Sequence, residues 1–423
     1  MSASPDRGLS STANVEAISR VPSTVWSAEM AEAYARRGVD VVRIAGGPLG
    51  PLPIHIIEAG KTALATGRRA PSRGDPDLLN AISDKLRIEN RIMADPEFEI
   101  VVTNGAMQAL HCALQAFVSP GDQVMMFGPA FFVHHLITLV GGEPQILLCH
   151  EDDEFHIDPD RLETAISERT TVLILINPGN PTGAVYSRDE LAKIADIVES
   201  RNLLVISDEA YEKFTYDGNL HTSFASLPGM ERRTLTVHSF TKCYGLRGAR
   251  IGYVAGNRDL ITPVLKVFEW SALACNPVSQ AMAEAALTGS QDWLDQALRD
   301  FNVNRQLIWQ SLDGSSSLSA RLPEGATFFY LKIAGLDIGS NEFCEYLLGR
   351  HGVPTVPGTA FAGGNALPDS YLRVPFGGTE QTINIVTAAL AAASEEILGG
   401  SWSDFAEDRS LVHRELGVSS QGW

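Results

Sequence analysis

Cysteine is scarce in this sequence, and no pattern of cysteines or histidines suggests a metal site. The five cysteines are spread along the chain, at Cys112, Cys149, Cys243, Cys275 and Cys344. They form no Cys-x-x-Cys pair, and no cluster of histidines accompanies them. We therefore predict no bound metal and interpret the cysteines as reduced thiols in a cytoplasmic protein.

Long apolar runs are also missing. No run approaches the roughly 20 residues that a membrane-spanning helix needs. The start of the chain, MSASPDRGLSSTANVEA, lacks the apolar stretch of a signal peptide. We expect a protein that stays where it is made and does not enter a membrane.

Positive charge is in the minority. Lys and Arg number 33 against 51 Asp and Glu, which gives a formal net charge of -18 at pH 7. A surface this acidic repels the phosphates of nucleic acids and the heads of anionic lipids. We therefore exclude nucleic acid and membrane surfaces as partners. An acidic balance is common in enzymes and says little about the substrate.

The length and composition are those of a globular protein of two or three domains. The chain has 423 residues, of which 44% are hydrophobic, enough for a large core. The tail after Gly400 is mostly polar but carries three large apolar residues, so we expect a docked helix there. The predicted units are a flexible arm at 1–15, a small domain formed by 16–60 and 300–398, a large domain at 61–299 and a C-terminal extension at 399–423.

Helices and strands alternate through the middle of the chain. The run TTVLILINP is almost continuously apolar, as expected of a strand buried on both faces. The helix DELAKIADIVESRN follows it, and the strand LLVISDEAY comes next. This alternation predicts an α/β fold with a mostly parallel sheet. Residues 300–398 indicate instead a smaller α+β domain packed on the sheet domain.

Polar residues that could take part in binding or catalysis follow the ends of these strands, where open α/β sheets bind ligands. They lie in four separate segments: NPGNPTG (177–183), SDEAY (207–211), SFTKCYGLRGARIGY (239–253) and YLRVPFG (371–377). Each segment alone is a weak signal, since Asn, Pro and Gly are also what ordinary turns contain. Their joint presence in this order is a strong one.

The chain resembles the fold-type I aminotransferases of the aspartate aminotransferase superfamily, class I/II. The likeness extends from about Val39 to Leu398, and its most specific motif is SFTKCYGLRGAR. The resemblance implies pyridoxal 5'-phosphate as cofactor, an amino acid substrate with a keto acid acceptor, and a homodimer with shared active sites.

Lys242 is the residue that the resemblance identifies as the Schiff-base lysine and as the proton carrier between Cα and the cofactor. An amine forms an imine only when it is neutral, so such a lysine needs a pKa lowered by burial and by nearby positive charge. Arg247 and Arg250 lie close to it in sequence. The alternative is an ordinary surface lysine.

The resemblance also implies residues that hold the cofactor ring. Asp208 would be the carboxylate beside the ring nitrogen, although an aspartate after a strand also commonly caps a helix. Tyr211 and Asn180 would bind the ring phenolate oxygen. Asn180 would also lie against the substrate, and Asn177 is an alternative residue for the substrate carboxylate.

A second group would hold the cofactor phosphate and cover the ring. A helix start and a fixed cation suit a phosphate. The resemblance assigns this role to Gly105, Ala106, Met107, Ser239 and Arg250. It further implies that Phe131 stacks on the ring, with Phe132 as the competing choice.

Two elements would contact the substrate. Arg373 matches the family arginine that pairs with the substrate α-carboxylate through two parallel hydrogen bonds. The turn at Ala45, Gly46 and Gly47 resembles the loop that closes over the substrate, and we assign Gly46 to substrate binding. Its glycines could instead serve a tight turn.

The sequence departs from the family at Arg69. The family usually has a tyrosine here, which crosses the dimer interface to the partner's cofactor phosphate. We predict that Arg69 enters the neighbouring subunit's site and binds either that phosphate or an anionic substrate. The loop AGGPLGPLP also lacks the usual acidic and aromatic residues.

Two nucleotide-binding motifs are absent or misleading. The tripeptide GKT at 60–62 echoes a phosphate-binding loop, but PIHIIEAGKTAL is typical of one helix. No GxGxxG follows a strand, so a nicotinamide dehydrogenase has no support.

The leading functional prediction is an aminotransferase. A C-S lyase or decarboxylating deaminase of natural-product biosynthesis is the alternative, because the same cofactor stabilises any carbanion next to the imine. A transcriptional regulator built on this fold is disfavoured, since only about 35 residues precede the resemblance and the net charge is negative.

Overall fold

The computed structural model describes residues 26–44, 47, 50–361 and 369–416. The predicted arm at 1–15, the predicted substrate residue Gly46 and the last residues of the extension lie outside this range. The helices, numbered along the described chain, are α1 (Trp26–Arg36), α2 (Ile54–Thr66), α3 (Pro76–Lys85), α4 (Ala106–Phe117), α5 (Val133–Leu139), α6 (Pro159–Ala165), α7 (Arg188–Ser200), α8 (Phe240–Cys243), α9 (Arg258–Ala272), α10 (Pro277–Thr288), α11 (Asp292–Ser311), α12 (Ser340–His351), α13 (Glu380–Leu398) and α14 (Trp402–Leu416).

A seven-stranded sheet forms the centre of the larger part of the described chain. Its strands are β1 (Ile100–Thr103), β2 (Gln123–Gly128), β3 (Glu143–Leu148), β4 (Thr170–Ile176), β5 (Leu204–Asp208), β6 (Thr234–Ser239) and β7 (Gly252–Ala255). Their order across the sheet is β1-β7-β6-β5-β4-β2-β3. Strand β7 runs opposite to the other six strands, so the predicted mostly parallel α/β sheet is confirmed.

Strand β4 explains why its sequence is a continuous apolar run. Val172 and Ile174 face one hydrophobic core, while Leu173 and Leu175 face a second core on the other side of the sheet. Successive side chains of a strand point to opposite faces. Helices cover both faces, so the run from Val172 to Ile176 is apolar at every position.

Side-chain caps fix where several helices of this part begin. Ser187 accepts the backbone N–H of Glu190, and Glu190 accepts that of Ser187, which forms a capping box at the start of α7. Asp75 caps α3 and Asp158 caps α6 through the same kind of side-chain bond. The tripeptide GKT lies inside α2, so the helix predicted there is confirmed.

A four-stranded antiparallel sheet forms the centre of the smaller part. It contains β8 (Leu318–Ala320), β9 (Phe328–Ile333), β10 (Val356–Pro357) and β11 (Tyr371–Pro375), in the order β10-β11-β9-β8. Helix α12 packs against β10 and β11, and α13 packs against α12, which agrees with the predicted α+β character. Strand β11 carries Arg373.

Two of the predicted domain boundaries fall inside helices. Residue 60 lies within α2, which packs against α10 of the large part, and residue 300 lies within the long helix α11. We propose that the first division precedes Ile54 and that α11 is the connection between the two domains.

Helix α14 forms most of the C-terminal extension and docks on the small domain. The Phe405 ring is buried against Tyr34 of α1 and Tyr346 of α12, with ring centres 6.3 and 5.0 Å away. A Cβ on Gly349 would lie 2.5 Å from the Phe405 ring, so this glycine makes room for the docked helix. Arg409 of α14 pairs with the buried Glu345 of α12.

All five cysteines are buried free thiols. Among the described helices, none has the length and apolar character required to cross a bilayer.

Candidate active site

The predicted site residues of the large domain lie where three neighbouring parallel strands end. Strand β5 ends at Asp208, which stands beside Ile176 at the end of β4 and beside Val237 of β6. Strand β6 ends at Ser239, and the four-residue helix α8 that follows carries Lys242. Parallel strands bring their carboxyl ends to one edge, so residues distant in sequence meet there.

Lys242 has the electrostatic surroundings that a reactive amine needs. Its pKa is lowered to about 8, first by burial and then by the positive charges of Arg373, Arg247 and Arg250. Its Nζ lies 5.5 Å from the centre of the Tyr211 ring. A substantial fraction of this amine is therefore neutral near physiological pH.

Asp208 is a buried carboxyl group beside the lysine. Its Oδ1 accepts the backbone N–H of Ala210 at 3.1 Å, which is the local bond expected of a capping aspartate. Burial raises its pKa to about 6, the neighbouring Glu209 adds to this, and Lys242 opposes it. The carboxyl group thus lacks a full counter-charge and suits a cationic ring nitrogen.

Arg373 and Asn180 meet across the domain boundary. Arg373 Nη1 donates to Asn180 Oδ1 at 2.9 Å, and the guanidinium lies over Phe328 and Phe361, 4.4 and 5.1 Å from their ring centres. Arg373 Nε is buried and has no hydrogen-bond partner among the described residues. Burial lowers the pKa of Arg373 to about 10. A carboxylate at this position would satisfy the unused donor.

Asn177 has a different environment from Asn180. Its Oδ1 accepts the backbone N–H of Tyr186 at 3.1 Å, and its Nδ2 donates to the Thr222 carbonyl at 3.5 Å. The side chain of Asn177 therefore fixes loop backbone. This geometry favours Asn180 over Asn177 as the residue that faces the substrate.

The start of α4 and the guanidinium of Arg250 lie next to each other and form a positively charged site. Gly105 precedes α4 with a φ of +88° and a Cβ there would lie 2.7 Å from Arg250 Nη2. Arg250 Nη1 donates to Thr241 Oγ1 at 3.4 Å. The first backbone N–H groups of α4, including those of Ala106 and Met107, are free of helical partners and attract an anion together with this guanidinium. Ser239 adds a hydroxyl group at the end of β6.

Phe131 and Phe132 are both half-buried at the edge of this region. The backbone N–H of Phe131 donates to the Asn180 carbonyl at 2.9 Å, whereas the Phe132 ring stacks on Phe361 with centres 5.5 Å apart. Phe131 is thus joined to a predicted ring-binding segment, and Phe132 packs with the small domain.

Arg69 is exposed, and no hydrogen-bond or ion-pair partner for it is found among the described residues. Its neighbour Arg68 differs, because it pairs with Asp75 at 2.6 Å. The Arg69 side chain is therefore available to a ligand or to another subunit.

A buried ionic network behind Asp208 and Tyr211 was missed by sequence reasoning. Glu209 accepts the Ser223 hydroxyl at 2.5 Å and binds His221 Nε2 at 3.0 Å. Glu212 pairs with the buried Lys85, whose ammonium lowers the pKa of the glutamate. Both glutamates adjoin predicted site residues in SDEAYE, but the sequence carries no signal for which carboxylate faces the site. The network holds the segment that carries Asp208 and Tyr211.

Taken together, the residues fit pyridoxal 5'-phosphate. They offer an amine of lowered pKa, a buried carboxyl group for the ring nitrogen, a phenol and an amide for the ring oxygen, and a helix start with a guanidinium for the phosphate. The unused Nε of Arg373 provides in addition a donor for a substrate carboxylate.

Comparisons with known proteins agree with this assembly. The family model "Aminotransferase class I and II" matches residues 45–390. The chain is 36% identical to an aspartate aminotransferase of Pyrococcus abyssi over 343 residues, which cover 80% of this chain and 87% of that protein. It is also 36% identical over 388 residues to a bifunctional aspartate aminotransferase and glutamate/aspartate-prephenate aminotransferase of Petunia hybrida, covering 88% of this chain and 80% of the other.

Solved structures give the same result. The aspartate aminotransferase of Rhizobium meliloti superposes with a TM-score of 0.84 at 30% identity, covering 92% of this chain and 99% of that one. The matched relatives are aminotransferases, so the elimination or decarboxylation alternative is not favoured. The chain therefore belongs to the class I and II aminotransferases and is a pyridoxal-phosphate-dependent enzyme of fold type I.

Proposed function

We propose that Lys242 anchors the cofactor and carries the proton in an amino-group transfer from an α-amino acid to a keto acid. Pyridoxal phosphate, when bound, supplies an aldehyde for imine formation and a ring that accepts electrons. The lowered pKa of Lys242 supports this role, because the neutral amine can attack an aldehyde and later accept a proton from substrate Cα. This pKa, set by burial and three arginines, is the observation that carries the proposal.

Asp208 would hold the proton on the ring nitrogen from its buried position, while Tyr211 and Asn180 would bind the ring oxygen. The phosphate would bind at the positively charged site at the start of α4, which consists of Gly105, Ala106, Met107, Ser239 and Arg250. Phe131 would cover one face of the ring. Two observations support this set: Asp208 and Ser239 end the neighbouring strands β5 and β6, and Gly105 lies against Arg250.

Arg373 would bind the substrate α-carboxylate, assisted by Asn180 and by Gly46. The buried, unused Nε supports this assignment, since a carboxylate can accept two parallel bonds from one guanidinium. The hydrogen bond from Arg373 to Asn180 would hold the guanidinium group in its binding orientation before the substrate arrives.

We further propose a cytoplasmic homodimer in which Arg69 reaches the partner's site. Arg69 is exposed, and α9, which packs on the predicted phosphate-binding helix α4, presents Trp270 at 94% exposure. An aromatic side chain so accessible is typical of an interface.

Hybrid dimers test this proposal. A dimer of one Lys242→Ala subunit and one Arg69→Ala subunit should contain one active site with both substitutions and one active site with neither. Activity in the mixture above that of either parent is expected, and its absence would contradict a shared site.

The decisive test of the chemistry combines trapping with product analysis. Borohydride reduction of the cofactor-loaded protein, followed by peptide mass spectrometry, should place the cofactor at Lys242. With an amino acid donor, the enzyme should convert to the amine form of the cofactor and require a keto acid to complete a cycle. Release of ammonia without an acceptor would instead indicate the lyase chemistry known from natural-product pathways.

A further inference from the structure

The buried ionic network behind the end of β5 forms a closed ring of six side chains. Its members are Lys85, Asn90, Glu209, Glu212, Ser223 and His238. All six are almost completely enclosed. Asn90 links two of them, because its Nδ2 donates to Ser223 Oγ and its Oδ1 accepts from the Lys85 ammonium, both at 2.7 Å. His238 lies between the two glutamates, with its Nδ1 3.2 Å from Glu212 and its Nε2 3.9 Å from Glu209.

The backbone that leads into the network is shaped to place Lys85 there. A π-helical turn at Leu86–Asn90 directly follows α3, which ends at Lys85. Because a π-helix brings together residues five positions apart, the turn places Lys85 and Asn90 side by side. Such turns are rare and occur frequently at functional sites. The Lys85 ammonium is thereby held at the carboxylate of Glu212, its ion-pair partner.

The two glutamates of the network differ in how their charge is compensated. Glu212 has the Lys85 ammonium, whereas Glu209 is 0% exposed and no lysine or arginine among the described residues pairs with it. Four other polar groups contact Glu209: the hydroxyl groups of Ser207 and Ser223, the backbone N–H of Phe224 and His221 Nε2. Burial raises the pKa of Glu209, but His221, His238 and the Ser223 hydroxyl outweigh burial and lower it. Glu209 is therefore a buried anion without a lysine or arginine partner.

The charge of Glu209 acts on Asp208, the residue before it at the end of β5. It adds to burial in raising the pKa of Asp208, while Lys242 opposes both. Tyr211 is the other titratable group that interacts with Asp208. A unit charge several Å away, at an effective dielectric constant of about 20, changes a pKa by roughly one unit. An anion at this position thus favours any proton that is bound beside Asp208.

We propose that Glu209 is a second anion for the cofactor, which strengthens from behind Asp208 the hold of that residue on a protonated ring nitrogen. Glu209 acts through Asp208 and is therefore a positioning residue. The ion pair of Lys85 with Glu212 keeps the rest of the network neutral. The inference rests on the proposed roles of Lys242 and Asp208.

Binding of two cofactor forms to the cofactor-free enzyme tests this without catalysis. The probes are pyridoxal phosphate and its analogue with carbon in place of the ring nitrogen. Glu209→Gln should weaken the binding of pyridoxal phosphate by about three- to tenfold and that of the analogue by less than twofold, because the analogue has no nitrogen to protonate. Glu209→Asp keeps the charge and should retain most of the difference between the probes.

The absorbance of the bound cofactor supplies a second readout, because it reports the loss of the proton from the imine at Lys242 as the pH rises. Glu209→Gln should move this titration to lower pH by about 0.5 to 1 pH unit, since a nearby anion favours the protonated form. His221→Lys places a fixed cation beside the intact Glu209 and should act in the same direction. It replaces Glu209→Gln as the test should that variant not fold.

The matched control is the double variant Lys85→Met with Glu212→Gln. It breaks the same network but removes one positive and one negative charge, so it should leave the titration and the ratio of the two affinities unchanged. Equal weakening of both probes by Glu209→Gln, or an equal shift in the double variant, would show that the network only shapes its segment and would overturn the inference. A wild-type enzyme that forms no adduct with pyridoxal phosphate at Lys242 would instead refute the proposed function.

Discussion

Replacing Lys242 with methionine should stabilise the cofactor-free protein, although the lysine is essential to the proposed chemistry. Methionine keeps the length and apolar stem of the side chain but carries no charge. The fall of the Lys242 pKa from 10.5 to about 8 means that the folded protein disfavours the ammonium form. A pKa change of that size corresponds to a cost of about 3 kcal/mol for burying the ammonium form in the folded protein. Because the side chain is partly accessible to water, we expect a cost of about 2 kcal/mol.

The sign of the stability difference and the pH range where it appears follow from the direction in which folding shifts the pKa of Lys242. Because folding lowers the pKa of a base, the cost of burying the ammonium is fully present below pH 8, where both the folded and unfolded chains are protonated. The cost declines between pH 8 and about 10.5 and is absent above that. The difference in free energy of unfolding between Lys242→Met and wild type should therefore be largest near pH 7 and vanish near pH 11.

Urea denaturation of both cofactor-free proteins, followed by tryptophan fluorescence at one protein concentration, measures this difference. Other titrating groups are common to both proteins and largely cancel in the comparison. A wild type that is the more stable of the two near pH 7, or a difference that does not change with pH, would refute the idea that Lys242 is held in a cation-rich, desolvated position.

Three further substitutions test the other parts of the molecule. Asp208→Asn should lower kcat by at least about 100-fold, because a neutral amide cannot hold a proton on the ring nitrogen; steady-state kinetics would contradict this with a loss below tenfold. Arg373→Lys should lower kcat/KM by about 10- to 100-fold, since an ammonium cannot form two parallel bonds to a carboxylate, and an unchanged value would remove Arg373 from substrate binding. Phe405→Ala should lower the free energy of unfolding by about 3 to 5 kcal/mol, because the ring is fully buried between α1 and α12. A urea-measured loss under 1 kcal/mol would mean that α14 is not docked in solution.

Strands with a long apolar signal were predictable from the sequence, and short edge strands were not. Strand β4 needs apolar residues on both faces, and its sequence shows this as a continuous apolar run. Strand β10 has two residues and exists only through its pairing with β11. Two residues carry no periodicity, so the tertiary partner alone defines such a strand. The same holds for the domain boundaries, because α2 and α11 continue through the predicted division points without a break in pattern.

The site was predictable where one motif supplies a residue and its neighbours. SFTKCYGLRGAR places Ser239, Lys242 and Arg250 on one strand end, so their proximity follows from local geometry. The contact of Arg373 with Asn180 depends on how the small domain packs on the large one, and no local pattern reports that. The same is true of the hydrogen bond that Arg247 Nη2 donates to the Gly47 carbonyl, which joins residues 200 positions apart.

The arginines around Lys242 have an effect that changes when they bind their ligands. In the protein alone, burial and the charges of Arg373, Arg247 and Arg250 disfavour the ammonium form, so a larger fraction of this amine than of an exposed lysine is neutral and able to attack an aldehyde. A phosphate on Arg250 and a substrate carboxylate on Arg373 would neutralise much of the positive potential at Lys242. The pKa of Lys242 should then rise again, as a group that must accept a proton from carbon requires. In a chain with a net charge of -18, three arginines that have no ion pair among the described residues surround Lys242, and the basicity of the lysine should therefore depend on the anions that these arginines bind.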